Sequence, residues 1–384
     1  MNKKLIIALS ILFFFCCTPI FCETIKLKNG KTVEGKIVEK TNTFVKLNIT
    51  GVGVTYYFDE VAEIKATQGT SQEKVKKTII YQVTKKFYLK AVSDTHYLKF
   101  CMPLPQEQAL RQKITDTVVF PKTNAFIKDD YGSDIPIFYF EFLKSATQAI
   151  IGVSYTVEFE AEPFTIEPSL IPDQYPPLDK SLEQYLASEK DINIQNPLIQ
   201  EKMQSVTGSL KNPYEKAKAL YDFVTGYIRY DRELARKVIG DSGYEPRKPT
   251  DTLQDGKGIC YDIAKLYVAL CRAAGIPARV ARGIAFMPQE DTKKYFEEIG
   301  HAWAEIYLPK YGWQIVDPTF GISEKDAFFC FNNISHVAEE YGLANAKEFG
   351  SLEKGWALQI RSQTKLTRFP LAISEAIEIE RVSD

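Results

Sequence analysis

The sequence carries almost no net charge. Its 48 lysines and arginines meet 49 aspartates and glutamates, which leaves −1 at neutral pH with histidine uncharged. No basic stripe interrupts that balance, so a nucleic-acid partner is not expected. There is no Cys-x-x-Cys pair, no His-Glu-x-x-His and no calcium-loop pattern, and therefore no metal or other cofactor is expected either. Cysteine is sparse, at seven residues in 384. The spacing of Cys101, Cys260, Cys271 and Cys330 does not resemble a disulfide framework, and Cys271 is read as core. Long apolar runs are missing too. Residues 5–15 form one, too short to span a bilayer comfortably, and no other stretch is apolar enough. With Lys3 and Lys4 ahead of it, this run reads as part of a secretory signal over residues 1–22. The chain is thus expected to be exported to the periplasm, cell surface or medium, meeting a membrane only through that segment. Cleavage after Cys22, lipidation and retention of the segment stay open, although Phe15 and Phe21 do not resemble the small residue that lipidation of Cys16 or Cys22 requires.

Beyond that segment, the first part of the chain is β-rich. Asn29-Gly30 is a hairpin signal, and short β-forming runs occupy 32–38, 43–49 and 52–58. Residues 23–67 are read as a small SH3-like β-barrel, either a binding module or a stabilising cap. Residues 68–72 read as a polar linker. Residues 73–165, with β-branched and aromatic runs at 76–92, 97–104, 135–143 and 147–160 and a turn at 131–133, predict a β-sandwich. Five prolines between 163 and 177 make an extended strap, and 166–210 are read as linker and helices, with helical patterns at 181–187 and 197–206. Asn212-Pro213 opens the next helix, over 214–227, apolar along Ala217, Leu220, Tyr221 and Val224. Tyr230 could lean into the cleft but is read as a core residue. The charged stretches 233–251 and 289–299 read as loops that could wall a cleft. Beyond Thr319 the pattern weakens. His336 has no partner in sequence and is read as structural, and 326–384 are expected to complete the catalytic sheet.

The remaining stretch is organised around Gly258-Ile259-Cys260-Tyr261-Asp262. Ile263, Leu266, Tyr267, Leu270 and Ala274 follow at helical spacing, and Gly275 and Pro277 end the helix. Cys260 thus opens a helix, where free N–H groups and the macrodipole favour a thiolate. Asp262 in the same turn opposes this, and a protonated histidine near the sulfur would restore the balance. Residues 301–308 alternate as a strand, with His301, Trp303, Glu305 and Tyr307 on one face. A turn at 309–312 leads into a second strand ending at Asp317. Folding about residue 309 sets His301 and Asp317 opposite each other, so that Asp317 can orient the imidazole.

Four stretches resemble the transglutaminase-like superfamily: Gly258-x-Cys260-x-Asp262-x-Ala264-x-Leu266, Ala273-x-Gly275-Ile276-Pro277-Ala278-Arg279-Val280, His301-Ala302-Trp303-x-Glu305 and Gly312-Trp313-x-x-x-Asp317-Pro318-Thr319. The resemblance covers about 210 to 320. It implies a papain-like α+β domain over 211–325, a cysteine helix on an antiparallel sheet, with Cys260 as nucleophile, His301 as general base and acid, and Asp317 as orienter. It also implies a side-chain donor to the oxyanion, which the sequence does not locate. The function expected is thioester formation on Cys260 from a glutamine carboxamide or peptide carbonyl of a protein or peptide, followed by transfer to an amine or water. A peptidase or amidase on protein or cell-wall peptide uses the same residues. A non-catalytic envelope-binding scaffold is the reading from another class.

Overall fold

The computed structural model describes residues 22–40, 43–49, 52–67, 78–94, 97–106, 112–129, 133–141, 143–160, 164–189, 191–240, 247–286, 294–296, 300–341, 345–346, 350–351, 357–361 and 371–383. The segment read as a signal, up to residue 21, the stretch read as a linker at 68–72 and most of 289–299 lie outside the described residues. Two compact units divide the chain, 1–49 with 56–75 and 50–55 with 76–384.

Near the N-terminus a five-stranded sheet runs in the order Val52–Tyr57, Phe44–Ile49, Thr32–Lys40, Cys22–Leu27, Val61–Thr67. Asn29-Gly30 makes the first hairpin as its sequence predicts. Gly30 takes φ +86°, and the Lys31 N–H donates to Asn29 Oδ1 at 3.0 Å. Ile25, Val45, Leu47 and Tyr56 are fully buried.

The larger unit begins with two more sheets. One orders its strands Lys294–Phe296, Leu371–Ser383, Thr78–Ala91, Gln148–Glu160, Gln112–Phe120; the other orders Ala357–Arg361, Tyr97–Cys101, Asp134–Phe140, Phe126–Lys128. Thr78–Ala91 alternates strictly, and its inward stripe of Tyr81, Val83, Phe87 and Leu89 shares one apolar core with Leu98, Phe100 and Phe138 of the second sheet. Lys85 breaks that stripe. It is buried, and its ammonium is paired with Glu339 at 2.7 Å and Glu375 at 3.3 Å. Burial acts to deprotonate it, but the two carboxylates outweigh burial and hold its pKa above the usual lysine value.

A four-stranded antiparallel sheet follows in the order Gly312–Val316, Gly300–Leu308, Ala278–Ala285, His336–Tyr341. The helix Cys260–Ala273 packs on its two central strands, with Pro197–Thr207 and Pro213–Tyr227 outside it. An amphipathic surface helix would leave one face in water. Here every residue from Tyr261 to Arg272 is buried, so the helix is covered on all sides and even Lys265 and Arg272 are taken in.

Two expectations change. The segment 326–384 does not simply finish the catalytic sheet. His336–Tyr341 joins it, whereas Leu371–Ser383 returns to pair antiparallel with Thr78–Ala91. Period-two alternation says that a strand has one covered face, not which sheet covers it, and Leu371, Ile377 and Ile379 find theirs in the core beneath Thr78–Ala91. The stretch 233–251 is not simply a loop, since Arg232–Gly240 and Pro249–Asp255 are helices.

Candidate active site

Cys260 is the first residue of its helix and is half-buried. Its N–H lies in the first turn, where no carbonyl within the helix can accept it. The charge of Asp262 is taken up by backbone N–H groups. The carboxylate is fully buried, Oδ2 accepting from the Ile259 N–H at 3.1 Å and Oδ1 from the Arg247 N–H at 3.0 Å. It is a helix cap turned back on the backbone. Gly258 makes that turn possible, because a Cβ there would stand 2.8 Å from the Cβ of Asp262. At the other end the Ile276 N–H reaches the Cys271 carbonyl at 2.9 Å with Gly275 at φ +79°. Cys271 lies on the same helix but is wholly buried. Burial pushes its thiol up to about 12, a hydrogen bond from Tyr267 offsetting this in part, and it stays a neutral core group.

His301 and Asp317 come together, through a register two residues from the one the sequence suggested. Ala304 pairs with Val316 and Leu308 with Gly312, so a three-residue turn at 309–311 carries Lys310 at φ 72°. Asp317 therefore faces Trp303, and His301 is its diagonal neighbour on the same face. An even offset preserves the face, and the diagonal is within reach of an imidazole. His301 Nε2 lies 2.7 Å from Asp317 Oδ2. Nδ1 is thereby left free of the carboxylate, and the Cys260 sulfur is close enough to act on the charge of the ring. Phe320 stacks on the imidazole at 4.5 Å between centroids.

Burial alone would lower the His301 pKa. The Asp317 carboxylate and the Cys260 sulfur overcome it and raise the imidazole to about 10. For Asp317 burial acts upward, and His301 and His336 hold it well below the usual carboxylate range. The two side chains form an imidazolium–carboxylate pair at neutral pH.

Two further residues belong here. His336, read from the sequence as merely structural, is fully buried with Nε2 3.1 Å from the same Asp317 oxygen. Its sequence context carries no hint of this, because the contact depends on which strand lies beside Ala278–Ala285. Tyr230, read as core, is 39% exposed and stands in register with Gly258. Burial of its phenol, then the Cys260 and Asp262 charges, push it up to about 12, so it remains an O–H donor. Its position just after the helix that precedes the cysteine was the available signal.

The donor atoms of His301, Asp317 and His336 lie within 4.8 Å of one another. Zinc would need each about 2.0–2.2 Å away, which sets tetrahedral donors about 3.4 Å apart. The observed 2.7 and 3.1 Å are hydrogen-bond distances, and the cluster is a hydrogen-bonded network.

Residues 200–318 match the family model described as the transglutaminase-like superfamily. This segment belongs to that superfamily. A kyphoscoliosis peptidase of Mus musculus is 30% identical over 150 residues, 38% of this chain and 21% of that protein. A protein-glutamine gamma-glutamyltransferase of Pseudomonas aeruginosa is 30% identical over 124 residues, 28% of this chain and 19% of that one. The chain therefore spans only about a fifth of the length of these two relatives. A crystal structure described as that of a candidate cysteine protease from Cytophaga hutchinsonii superposes with a TM-score of 0.56 at 18% identity, covering 80% of this chain and 92% of that one. That likeness speaks for a shared fold over most of the chain. No helix among the described residues is long and apolar enough to cross a membrane.

Proposed function

We propose that the chain is an exported cysteine acyl-transfer enzyme acting on a protein or peptide substrate, with Cys260, His301 and Asp317 as its triad. The observation that carries this reading is the His301–Asp317 pair at 2.7 Å, coupled electrostatically to Cys260 at a helix N-terminus. The N-terminal five-stranded sheet is read as an SH3-like module and the paired sheets of the larger unit as a β-sandwich, both as partners or supports of the catalytic domain.

The Cys260 thiolate attacks the carbon of a glutamine carboxamide or peptide carbonyl, and a C–S bond forms as the carbonyl π pair moves onto oxygen. The Cys260 N–H and the Tyr230 hydroxyl are assigned as donors to that developing charge. The oxygen's electron pair then re-forms the carbonyl, the C–N bond breaks, and His301 gives its proton to the departing nitrogen. A thioester remains. An amine or water attacks it, His301 takes the proton, and the C–S bond breaks to return the thiolate. With a lysine amine the product is an isopeptide; with water the same site is a peptidase or amidase, the activity that the mouse relative's name carries.

The test compares the protein with its Cys260→Ala variant on a glutamine-rich protein and a fluorescent primary amine, following amine incorporation, ammonia release and peptide cleavage. Incorporation by wild type alone establishes transfer to amines. Ammonia release or cleavage without incorporation makes water the acceptor. If both proteins behave alike and wild-type Cys260 is also inert to iodoacetamide, the catalytic reading fails and the binding-scaffold reading replaces it.

A further inference from the structure

A triad needs one histidine on its aspartate, and this site has two. The Asp317 carboxylate is already oriented without help from either ring, because Oδ1 accepts the N–H groups of Thr319 at 2.8 Å and Phe320 at 3.1 Å. Oδ2 is left between His301 Nε2 at 2.7 Å and His336 Nε2 at 3.1 Å. His336 itself is held firmly. Its N–H donates to Asn333 Oδ1, its carbonyl accepts from Asn333 Nδ2, and its Nδ1 lies 3.0 Å from Ser335 Oγ. Trp303, Phe320, Phe328 and Phe331 pack around the ring, none of which ionises. Asp317 and His301 are the titratable groups that face it among the described residues, and across the strand pair it meets Ala285.

These partners fix the tautomer. The carboxylate accepts a hydrogen bond from Nε2–H, and the Ser335 hydroxyl donates to the lone pair on Nδ1. Burial favours this neutral form, and the positive His301 adds to that preference while Asp317 opposes it. His336 is therefore a fixed N–H dipole aimed at the oxygen that holds the imidazolium. A hydrogen bond to a carboxylate makes it a weaker base, and hence a weaker anchor for a neighbouring cation.

We propose that His336 is a positioning residue that divides the charge of Asp317 between two imidazoles, so that His301 yields its proton more readily than an undivided aspartate–histidine pair would allow. The role rests on the acyl-transfer reading of Cys260 and His301. It matters there because His301 must give a proton to a leaving nitrogen, and a general acid works best when its pKa lies near the working pH. A buried aspartate with a single histidine partner drives the imidazole far above that range. The second histidine, by sharing the carboxylate oxygen, limits that rise.

The experiment is a pH titration of the imidazole nitrogens by 15N NMR, in chelator-treated buffer. The chain has three histidines, so the spectrum is sparse and His96 serves as reference. His336→Phe removes the donor while keeping a ring among the aromatics. His336→Gln keeps a neutral N–H donor. The expected result is a wild-type His336 protonated on Nε2 and silent near neutrality. The His301 midpoint should rise by about half a unit or more in His336→Phe, about threefold in proton affinity, and return toward wild type in His336→Gln. A His301 midpoint that is unchanged or lowered in His336→Phe overturns the proposal. If that variant does not fold, Ser335→Ala, which removes the hydroxyl that fixes the tautomer, is expected to move His301 the same way by less, and no movement overturns it. Iodoacetamide alkylation of wild-type Cys260 is followed alongside. A thiol alkylated readily at neutral pH in the folded protein supports the catalytic reading, and an inert one defeats that reading by a result separate from the His336 comparison.

Discussion

At the scale of single residues, the imidazolium–carboxylate pair makes the sharpest claims. Asp317 is what raises His301 to about 10 against the opposite effect of burial. In Asp317→Asn burial is left to dominate, and the His301 midpoint is expected to fall below its ordinary value of about 6.5. Activity should drop about 10³–10⁴-fold, as it does where a triad histidine loses its orienting charge. Stability carries the same signature. A histidine whose folded pKa is raised contributes fully below about 6.5, and the contribution is lost as pH climbs through about 10. Urea midpoints of the wild type should therefore decline over that window, and those of Asp317→Asn should not. Tyr230 makes a second claim. If its hydroxyl stabilises the oxyanion, Tyr230→Phe lowers kcat about 10²-fold with KM little changed, measured on whichever substrate the amine-incorporation assay identifies. An unchanged kcat removes Tyr230 from the mechanism. Cys260, His301 and Asp317 were legible in the sequence as candidates because each sits in a local pattern, a helix start or a hairpin. Tyr230 and His336 were not, since their meaning comes from contacts with a helix and a strand distant in the chain.

At the scale of elements, the hairpin shows how much local pattern can tell. Alternation fixed which face His301 occupies, and that survived a two-residue error in register because side-chain direction repeats every two residues. Strand destination was harder to read. Lys85 is the residue that records it. In sequence it is a flaw in an apolar stripe, and in the fold it joins three strands through Glu339 of His336–Tyr341 and Glu375 of Leu371–Ser383. Removing the ammonium leaves Glu339 buried without its counter-charge, and burial already raises that carboxyl. Lys85→Met is expected to cost about 3–5 kcal/mol at neutral pH. The loss should shrink in acid, where Glu339 takes up a proton, and Lys85→Met with Glu339→Gln should recover most of it. Denaturant melts of the three proteins at two pH values check this, and a loss that does not depend on pH would point to packing in place of charge.

At the scale of the whole chain, the last described strand is where distant parts meet. Leu371–Ser383 lies between Thr78–Ala91 on one side and Lys294–Phe296 on the other. The first neighbour belongs to the large apolar core. The second stands four residues before Gly300–Leu308, the strand that carries His301. Truncation after Pro370 would uncover one full edge of Thr78–Ala91 and release Lys294–Phe296 from its only sheet partner among the described residues. Exposed edges of long β-branched strands associate readily. The truncated chain is therefore expected to unfold at a lower temperature and to aggregate, and a peptide of residues 371–383 added in trans should reverse both changes by restoring the edge. The same deletion should also lower the rate of Cys260 alkylation by iodoacetamide, because the approach to His301 loses an anchor at one end. Should stability fall while alkylation per folded molecule stays at the wild-type rate, the tail strand supports the two-sheet core alone. A fall in both, with joint recovery on adding the peptide, makes it the link through which that core holds the histidine strand in place.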